Sequence, residues 1–473
     1  MPAALADDPP GRSLDVAQPN RGFWRNNIES LVLAISVAVL LKYFLVEAYK
    51  IPTGSMQPTL MGWNDGRGGG IFDRILVDKL SFHLRDPERF EVVVFQFPLD
   101  RSRHFIKRLV GMPGDHLRIS RGDLWLESFD AAGRPSWQIL RRPDGVQEQH
   151  WLRIPTQDGW DLGAHHQTWS SDGSSIHATQ AGRATFPSDA RGVRDQAEHG
   201  YPQAILNNLG RPSRRGGQHE AGDLRLALTV APQADCTSVQ ITIEEGGRKH
   251  VLDIPGPSAA HGTRAALHSE DLSSVHTGSD LRLVAGRTHR LRFWNLDDRL
   301  EFEWGGQRML SLEVPPAQRG PARVHLATVG GGADFRDIRL DRDLYYDSDS
   351  GTVSTWQIPH EHYVVLGDNT VDSADSRAWK LTMVHSPTGD FPGTITGQRL
   401  PEKNPTRLLD PEAFDAVAFT DVWGERRSYR SGAVRADSKP APFVARHLMR
   451  GRALCVFWPW KPLKGIWRPK WIR

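Results

Sequence analysis

Cysteine is scarce in this sequence, which has only Cys236 and Cys455 among its 473 residues. The two lie far apart and form no C-x-x-C spacing, so neither a zinc cluster nor a disulfide framework is indicated. Whether they pair in one long-range disulfide stays open at this stage. The fold therefore has to be inferred from apolar patterning rather than from cysteine spacing.

A large excess of charge of one sign is also missing. The 59 Lys and Arg residues nearly balance the 56 Asp and Glu residues, for a formal net charge of +3. So small an excess gives no argument for a nucleic-acid partner. Apolar content is ordinary at 39% and mean hydropathy is −0.47, which excludes a polytopic membrane protein. Abundant Gly, Pro and Trp (44, 32 and 16 residues) favour turn-rich β architecture over helical bundles.

Long apolar runs are rare too, and one stands out, Ile28–Val46. Its length is near the roughly 20 residues that a membrane-spanning helix needs. Its centre carries no charge, and Lys42 is close enough to the end to extend its ammonium to the interface. A buried core helix and a cleaved signal peptide are alternatives. A retained anchor is favoured because the preceding tail is long and Pro-rich and no clear small-x-small cleavage site follows. Flanking charge leaves the orientation undecided.

Short β-branched and aromatic segments follow, which predicts strands at 71–82, 90–98 and 103–115. Between 223 and 346, short alternating segments are regularly spaced with turns between them, which suggests a β-sandwich. The segment "NLDDRLEFEWGGQ" (295–307) resembles a strand pair of concanavalin-like (laminin-G-like) sandwiches. Its exposed-looking aromatics, Trp294 and Trp304 among them, are more typical of a sandwich core than of a sugar-binding platform.

Two residues suggest catalysis, Ser55 in "KIPTGSMQPTL" and Lys107 in "FIKRLVG". A serine hydroxyl is a weak nucleophile and needs a neighbouring base. A lysine is a base only when neutral, and burial among apolar residues lowers its pKa by up to about 3–5 units. The apolar neighbours of Lys107 fit that requirement. Taken alone, however, the first stretch also fits a simple turn, and Lys107 with Arg108 also fits a strand with one solvated face.

Four motifs together resemble bacterial type I signal peptidases (leader peptidases). They are "IPTGSMQPTL", "DRILVDKLSF", "FIKRLVGMPGD" and "GDNTVDSADSR", in that order behind the apolar run. The strand "GRALCVFWP" is similar to the one that closes that fold. The resemblance covers residues 28–120, 360–379 and 451–460.

The resemblance implies a role for each motif residue. Ser55 is the nucleophile and Lys107 the general base. The backbone N–H of Ser55 and the hydroxyl of Thr53 are the oxyanion donors. Ser373 hydrogen-bonds the lysine ammonium and orients it. No metal ligand and no cofactor are implied, and lysine in the base position differs from the histidine of the eukaryotic reticulum enzymes.

The last motif supplies the remaining supporting residues by the same resemblance. Asp375 and Arg377 form the ion pair that braces the site, and Gly367, Asp368 and Asn369 form the turn that holds this strand beside the nucleophile. The sequence departs from the common pattern at two further positions, with threonine at 370 and aspartate at 372. These departures put local bracing in doubt rather than proton transfer. The acidic residues at 368, 372 and 375 lack the spacing of an EF-hand loop.

The implied fold class is mainly β: an antiparallel signal-peptidase-like catalytic core behind one N-terminal transmembrane helix, with an inserted β-sandwich-like domain. The expected segments are a disordered N-terminal tail (1–27), a transmembrane anchor (28–46), a first part of the core (47–120), an inserted accessory domain (121–355), a second part of the core (356–379), a second insertion (380–450), and a closing strand with a basic tail (451–473).

The implied function is that of a membrane-bound serine endopeptidase. It would remove signal peptides from exported pre-proteins by Ser/Lys acyl transfer, cutting after small-x-small residues. Its partners would be those pre-proteins and the lipid bilayer, with the catalytic domain on the outer (periplasmic) face of the bacterial cytoplasmic membrane. The ligand of the insertion stays undetermined. The alternatives are a membrane-anchored β-sandwich binding module with a degenerate peptidase core, and a self-cleaving regulator of the related repressor fold.

Overall fold

The computed structural model describes most of the chain, and the statements below concern that part. The described residues are 21–40, 45–64, 70–157, 159–209, 216–270, 272–276, 280–318, 320–347, 352–386, 393–399, 416–430 and 434–473. Strands predominate in them, so the prediction of a mainly β protein is confirmed. Cys236 and Cys455 are both free thiols, so they do not pair.

The helices of the described residues are few, and three of the four are short. They are α1 (Arg21–Leu40), α2 (Ser81–Leu84), α3 (Asp144–Gln147) and α4 (Gln203–Leu209). The helix α1 starts inside the predicted disordered tail, so residues 21–27 are helical, while residues 1–20 and 41–44 lie outside the described part. Among the residues described, no helix combines the length and the apolar character that crossing a bilayer requires.

The strands are numbered in chain order. Up to residue 120 they are β1 (Val46–Lys50), β2 (Gly62–Asn64), β3 (Gly70–Phe72), β4 (Arg74–Asp78), β5 (Val92–Phe97), β6 (Asp100–Gly111) and β7 (His116–Ser120). Up to residue 357 they are β8 (Asp123–Phe129), β9 (Pro135–Ile139), β10 (Leu152–Ile154), β11 (Trp169–Ser171), β12 (Ile176–Phe186), β13 (Arg194–Gln196), β14 (Gly216–Glu220), β15 (Leu224–Pro232), β16 (Ser238–Glu245), β17 (Arg248–Pro255), β18 (Ala266–Ser269), β19 (Leu272–His276), β20 (His289–Leu296), β21 (Arg299–Trp304), β22 (Gln307–Glu313), β23 (Ala322–Arg342) and β24 (Thr355–Gln357). The last are β25 (His362–Leu366), β26 (Lys380–His385), β27 (Thr394–Arg399), β28 (Ala416–Asp421), β29 (Arg426–Arg430), β30 (Arg435–Pro440), β31 (Val444–Ala445), β32 (Met449–Trp458), β33 (Trp460–Lys461), β34 (Ile466–Trp467) and β35 (Lys470–Trp471).

An eight-stranded antiparallel sheet carries Lys107 on β6, and the loops that hold the other motif residues follow its strands β1 and β25. Its order is β1-β4-β32-β5-β6-β25-β31, with β35 also paired to β32. The central strand β5 is an apolar run buried on both faces, which fits its place between two neighbours and two hydrophobic clusters. The strand β31 belongs to this sheet although it lies in the predicted second insertion. The rest of that insertion contributes a five-stranded sheet, β29-β28-β27-β26-β30.

A four-stranded sheet, β24-β7-β8-β9, links the eight-stranded sheet to the rest of the predicted insertion. One hydrophobic cluster joins the two sheets, because it contains Val110 and Val364 of the larger sheet together with Leu117 and Trp356 of the smaller one. The hairpin β8–β9 follows β7 directly, so the first residues of the predicted insertion continue a sheet that begins before it.

A twelve-stranded sheet contains most of the remaining insertion. Its main path is β19-β18-β17-β16-β23-β15-β20-β21-β22, and a single hydrophobic core collects side chains from both ends of that path. Trp294 is buried and Trp304 packs against this core, as expected for sandwich residues. The strand β23 runs for 21 residues, longer than the short segments predicted between 223 and 346, and passes through Gly330–Gly332. These glycines allow close approach, since a Cβ at Gly332 would lie 2.0 Å from the Ala178 carbonyl oxygen.

Candidate active site

The loop between β1 and β2 carries Ser55 and is fixed at both ends by Asp73. The Ile51 N–H donates to the Asp73 carbonyl (2.9 Å), and the Met61 N–H donates to the Asp73 carboxylate (2.8 Å). Arg468 donates to both oxygens of that carboxylate (2.7 and 2.8 Å). Met56 inside the loop is fully buried. The loop is therefore a rigid element and not a solvated turn.

Asn369 holds the loop from the other side. Its backbone N–H donates to the Ser55 carbonyl (3.2 Å), and its side-chain amide donates to the Gly54 carbonyl (3.0 Å). Both hydrogen bonds end on carbonyl oxygens. The Ser55 N–H therefore has no acceptor among the described residues. Thr53 is exposed on the same loop, and its hydroxyl makes no hydrogen bond with a described residue. Two donors of the predicted oxyanion site are thus available.

Lys107 lies on β6 and reaches Ser55. Its Nζ is hydrogen-bonded to the Ser55 Oγ, and the residue is only 3% exposed. Burial lowers the pKa of Lys107 from 10.5 to about 8, although Asp375 and Asp368 act in the opposite direction. The lysine sits on the face of β6 that packs on Phe95 and its cluster, which supplies the desolvation.

Arg108, the next residue, is fully buried on the opposite face of β6. Its guanidinium donates to both carboxylate oxygens of Asp368 (2.9 and 2.8 Å) and to the Phe90 carbonyl (2.7 Å). The alternative of a strand with one solvated face is therefore wrong at this point. No role for Arg108 was predicted from the sequence. Its position within an apolar strand could have indicated one, because a buried guanidinium requires a buried partner.

Asp375 and Arg377 form the second buried ion pair. Arg377 donates to both oxygens of Asp375 (2.9 and 2.8 Å), and the carboxylate also accepts the Gly367 N–H (2.9 Å). Burial alone would raise the pKa of Asp375, but Arg377 and these hydrogen bonds lower it overall. Arg377 also donates to the Thr370 carbonyl (3.3 Å), so the threonine at this unusual position braces the site through its backbone.

Ser373 lies beside the nucleophile without the expected bond. A Cβ at Gly367 would lie 2.1 Å from the Ser373 Oγ and 2.3 Å from the Ser55 carbonyl oxygen, so only glycine fits between them. The Ser373 Oγ is buried and has no hydrogen-bond partner among the described residues. The hydrogen bond to Lys107 expected from the resemblance is therefore not formed in this structure.

The predicted insertion also touches the site, which the sequence analysis missed. The Tyr201 hydroxyl donates to the Gln57 side chain (2.6 Å), two residues after the nucleophile. Arg377 donates to the Asp347 carbonyl (3.0 Å), and the His150 imidazole lies 3.9 Å from Asp368. These contacts link residues 144, 30 and 218 positions apart along the chain, so no local pattern could have revealed them.

Comparison with known proteins agrees with the predicted resemblance. Residues 24–141, about a quarter of the chain, match the family model described as signal peptidase, peptidase S26. A probable signal peptidase I-2 of Synechocystis sp. is 39% identical over 114 residues, which are 23% of this chain and 48% of that protein. A probable signal peptidase I-1 of the same organism is 34% identical over 137 residues (26% and 65%), and signal peptidase I of Pseudomonas fluorescens is 37% identical over 104 residues (20% and 34%).

The chain thus spans about half the length of the Synechocystis signal peptidase I-2 (48%) and about a third of the Pseudomonas fluorescens enzyme (34%). Over this part, the resemblance to type I signal peptidases is confirmed. Among solved structures, galectin LEC-6 of Caenorhabditis elegans is 11% identical and covers 26% of this chain and 85% of its own, with a TM-score of 0.22. The carbohydrate-binding module CBM66 of Bacillus subtilis is 7% identical and covers 40% and 98%, with a TM-score of 0.26. TM-scores this low bear on neither fold nor function.

Proposed function

We propose that this chain is a serine endopeptidase that removes signal peptides from exported pre-proteins by Ser/Lys acyl transfer. The observation that carries the proposal is the hydrogen bond between Lys107 Nζ and Ser55 Oγ in a site that lowers the lysine pKa to about 8. A base with a pKa near the working pH is best suited to accept a proton and return it. The matched relatives are named signal peptidases, which supports the same class of substrate.

In the first step, neutral Lys107 takes the proton of the Ser55 hydroxyl while the Ser55 oxygen attacks the scissile carbonyl carbon. Negative charge develops on the carbonyl oxygen, where the Ser55 N–H and the Thr53 hydroxyl act as donors. Removing one such donor typically raises the barrier by about 2.7–4 kcal/mol. The C–N bond then breaks, and Lys107 returns its proton to the leaving amine.

In the second step, water hydrolyses the ester between Ser55 and the signal peptide. Lys107, neutral again, takes a proton from this water while the water oxygen attacks the ester carbon, and passes that proton to the Ser55 oxygen as the ester C–O bond breaks. The buried ion pairs of Asp375 with Arg377 and of Asp368 with Arg108 keep the strand positions fixed around the dyad. Supporting roles follow for Gly367 and Asn369 from their contacts with the Ser55 loop. The role of Ser373 in orienting the lysine rests on the resemblance alone.

We further propose that residues 28–46 anchor the enzyme in the bacterial cytoplasmic membrane, with the catalytic sheet on its outer face. Large apolar side chains are exposed along α1, and a bilayer would cover them; they include Ile28, Leu31, Val32, Leu33, Ile35 and Val39. Substrates would end in small-x-small residues. The region 121–355 serves as an accessory domain of β-sandwich type, and the laminin-G-like resemblance is part of this proposal.

A processing assay tests the function directly. The full chain, in detergent or vesicles, is incubated with a pre-protein carrying a small-x-small site, beside the Ser55→Ala variant. The matched control is Ser311→Ala, which removes an exposed hydroxyl on β22 with one weak contact to Glu301 (3.4 Å). We expect cleavage by the parent chain and the control and none by Ser55→Ala. A folded parent chain that binds the pre-protein but never cuts it would instead favour the binding-module alternative.

A further inference from the structure

Three carboxylates that take no part in the candidate active-site dyad converge at another place in the fold. Asp123, Asp223 and Asp297 each place a carboxylate oxygen within 4.8 Å of the other two. They come from different parts of the fold. Asp123 opens β8 of the four-stranded sheet, Asp223 directly precedes β15, and Asp297 lies in the turn between β20 and β21. No local sequence pattern brings these residues together.

No described side chain forms a salt bridge with this cluster, and within the described part of the chain the Asp223 carboxylate accepts a hydrogen bond only from the Asp297 N–H (3.1 Å). Asp297 is 4% exposed, and its Oδ2 is buried without a hydrogen-bond partner among the described residues. Its side chain points at the other two carboxylates, since all three lie within 4.8 Å. An unpaired buried carboxylate is costly, and proteins usually compensate it with a cation or a proton. An isolated buried group of this kind therefore indicates a missing positive partner.

The nearby arginines are engaged elsewhere. Arg142 binds the carboxylate of Asp343 (2.7 Å), and Arg141 donates to the backbone carbonyl of Asp297 (2.7 Å) and to Glu313. Arg121 donates to the Ala317 carbonyl (3.0 Å). None of these bonds reaches the side chain of Asp297, so Arg141 and Arg142 offset its charge only from a distance, without a hydrogen bond.

A cavity of about 180 Å³ opens onto the cluster. Asp123 and Asp223 line it, together with Glu245, Asp298 and Trp125. Asp123 and Asp223, the two members of the cluster that line the cavity, are only half-buried, so a small ion and its water ligands can reach them. The cavity thus gives solvent access to two of the three carboxylates, and Asp297, which does not line it, has a carboxylate oxygen within 4.8 Å of both.

We propose that Asp123, Asp223 and Asp297 bind a divalent cation of the calcium type. The triad offers oxygen ligands alone, which suit hard cations such as Ca²⁺. Water in the cavity and its further carboxylates complete a coordination of six to eight oxygens. Because Asp123 belongs to the four-stranded sheet and the other two belong to the twelve-stranded sheet, the ion ties the two sheets together.

A proton shared between the carboxyls is the competing explanation. Burial and the neighbouring carboxylates raise the pKa of Asp123 and Asp223, and they raise the pKa of Asp297 to about 7, so the cluster lowers its charge if it retains protons. The two explanations differ in their response to added cation. A shared proton needs none, whereas a cation site gains stability when its ion is bound.

The test uses the full chain after treatment with EDTA. Thermal unfolding is followed with and without Ca²⁺, and Tb³⁺ binding is followed by luminescence sensitised through Trp125, which lines the same cavity. The key variant is Asp297→Asn, because asparagine keeps the shape and tolerates the left-handed backbone of this position (φ 52°). The matched control is Asp280→Asn, which removes the same charge from an exposed pair with Arg264.

We expect Ca²⁺ to raise the unfolding temperature of the parent chain and of Asp280→Asn. In Asp297→Asn we expect that rise to be lost and Tb³⁺ affinity to fall by at least about 10-fold, the loss that disturbing even an outer-shell partner can cause. In EDTA the same variant should be at least as stable as the parent, since one repelling charge is gone. An unfolding temperature of the parent that is equal in Ca²⁺ and EDTA, without Tb³⁺ luminescence, would overturn the proposal, as would an unchanged Ca²⁺ response in Asp297→Asn.

Discussion

The rate of peptide cleavage should follow the titration of Lys107. Only the neutral amine accepts the Ser55 proton, so kcat/KM rises with pH until the lysine is fully deprotonated. Burial lowers the folded-state pKa to about 8, which places this rise below pH 9. If Lys107 kept the ordinary lysine pKa of 10.5, kcat/KM would still be rising at pH 9 and would show no plateau below that pH.

The magnitude follows from the pKa. With a value of about 8, the neutral fraction is roughly 1% at pH 6, roughly 9% at pH 7 and roughly 90% at pH 9, a rise of about 90-fold. Without the shift, the same interval would give about a 1000-fold rise and no levelling. At pH 7 the shift alone raises the neutral fraction by about 300-fold. Burial of Lys107 is therefore the main reason that enough of the lysine is neutral at pH 7 for it to act as a base.

The assay measures kcat/KM between pH 6 and 10 on a peptide with a small-x-small site and no titrating side chains, with circular dichroism to confirm folding at each pH. One control is needed, because desolvation and the nearby charge of Arg468 lower the pKa of Lys470 to about 8 as well. Lys470→Gln should leave the profile unchanged. A profile of the parent that is flat, or that keeps rising tenfold per unit up to pH 10, would refute the assignment of Lys107 as a base shifted by burial.

Three further predictions follow from the same site. Ser55→Ala and Lys107→Ala should each abolish cleavage, and the double variant should be no worse than either, because the dyad acts as a unit; additive losses in single-turnover rates would contradict this. Asp375→Asn should move the midpoint of the pH profile down and Arg377→Met should move it up, because the Asp375 charge raises the Lys107 pKa and the Arg377 charge lowers it. Each substitution should also lower the free energy of unfolding in urea by about 3–5 kcal/mol, because it leaves a buried charge unpaired. Midpoint shifts of the same sign in both variants would contradict these electrostatic effects on Lys107. Tyr201→Phe should lower the free energy of unfolding by about 1 kcal/mol through the lost hydrogen bond to the nucleophile loop; an unchanged urea midpoint would show that this contact contributes nothing.

Short, strongly patterned segments were predictable from sequence. The strand predicted at 90–98 is found within two residues of its predicted limits, as β5. The segment 71–82 was less accurate, since β3 and β4 are followed by the short helix α2. There the apolar pattern continues past Asp78, but the Asp78 carboxylate accepts the N–H groups of Leu80 and Ser81 and starts a helical turn.

The role of a site residue was predictable where a single motif contains that residue. Contacts between segments far apart in the chain were not predictable. Ser55 and Lys107 could be paired only through the resemblance, since 52 residues separate them. The partner of Arg108 lies 260 residues away in Asp368, and no sequence spacing encodes such a pair. The roles assigned to the motif residues stay predictions until variants are assayed.

The contacts also change the expectation for deleting residues 121–355. The sequence suggested that a short turn in their place would leave cleavage of a simple peptide. That deletion would remove Tyr201 from the nucleophile loop, His150 from the side of Asp368, and the hairpin β8–β9 from its sheet. A milder deletion that retains these residues is the better test of an accessory role, with peptide cleavage as its measure.

The position of β32 in the eight-stranded sheet has a consequence for the order of events during synthesis. This strand lies between β4 and β5, although it follows them by more than 350 residues in the chain. Until residues 449–458 have emerged, β4 and β5 each present an unpaired edge, and the sheet beneath the Ser55 loop is incomplete. The twelve-stranded sheet needs nothing beyond residue 342 and can form first. A nascent chain would therefore carry a folded middle and an unfinished active site, so the proposed proteolytic activity would begin only after residues 449–458 have been made.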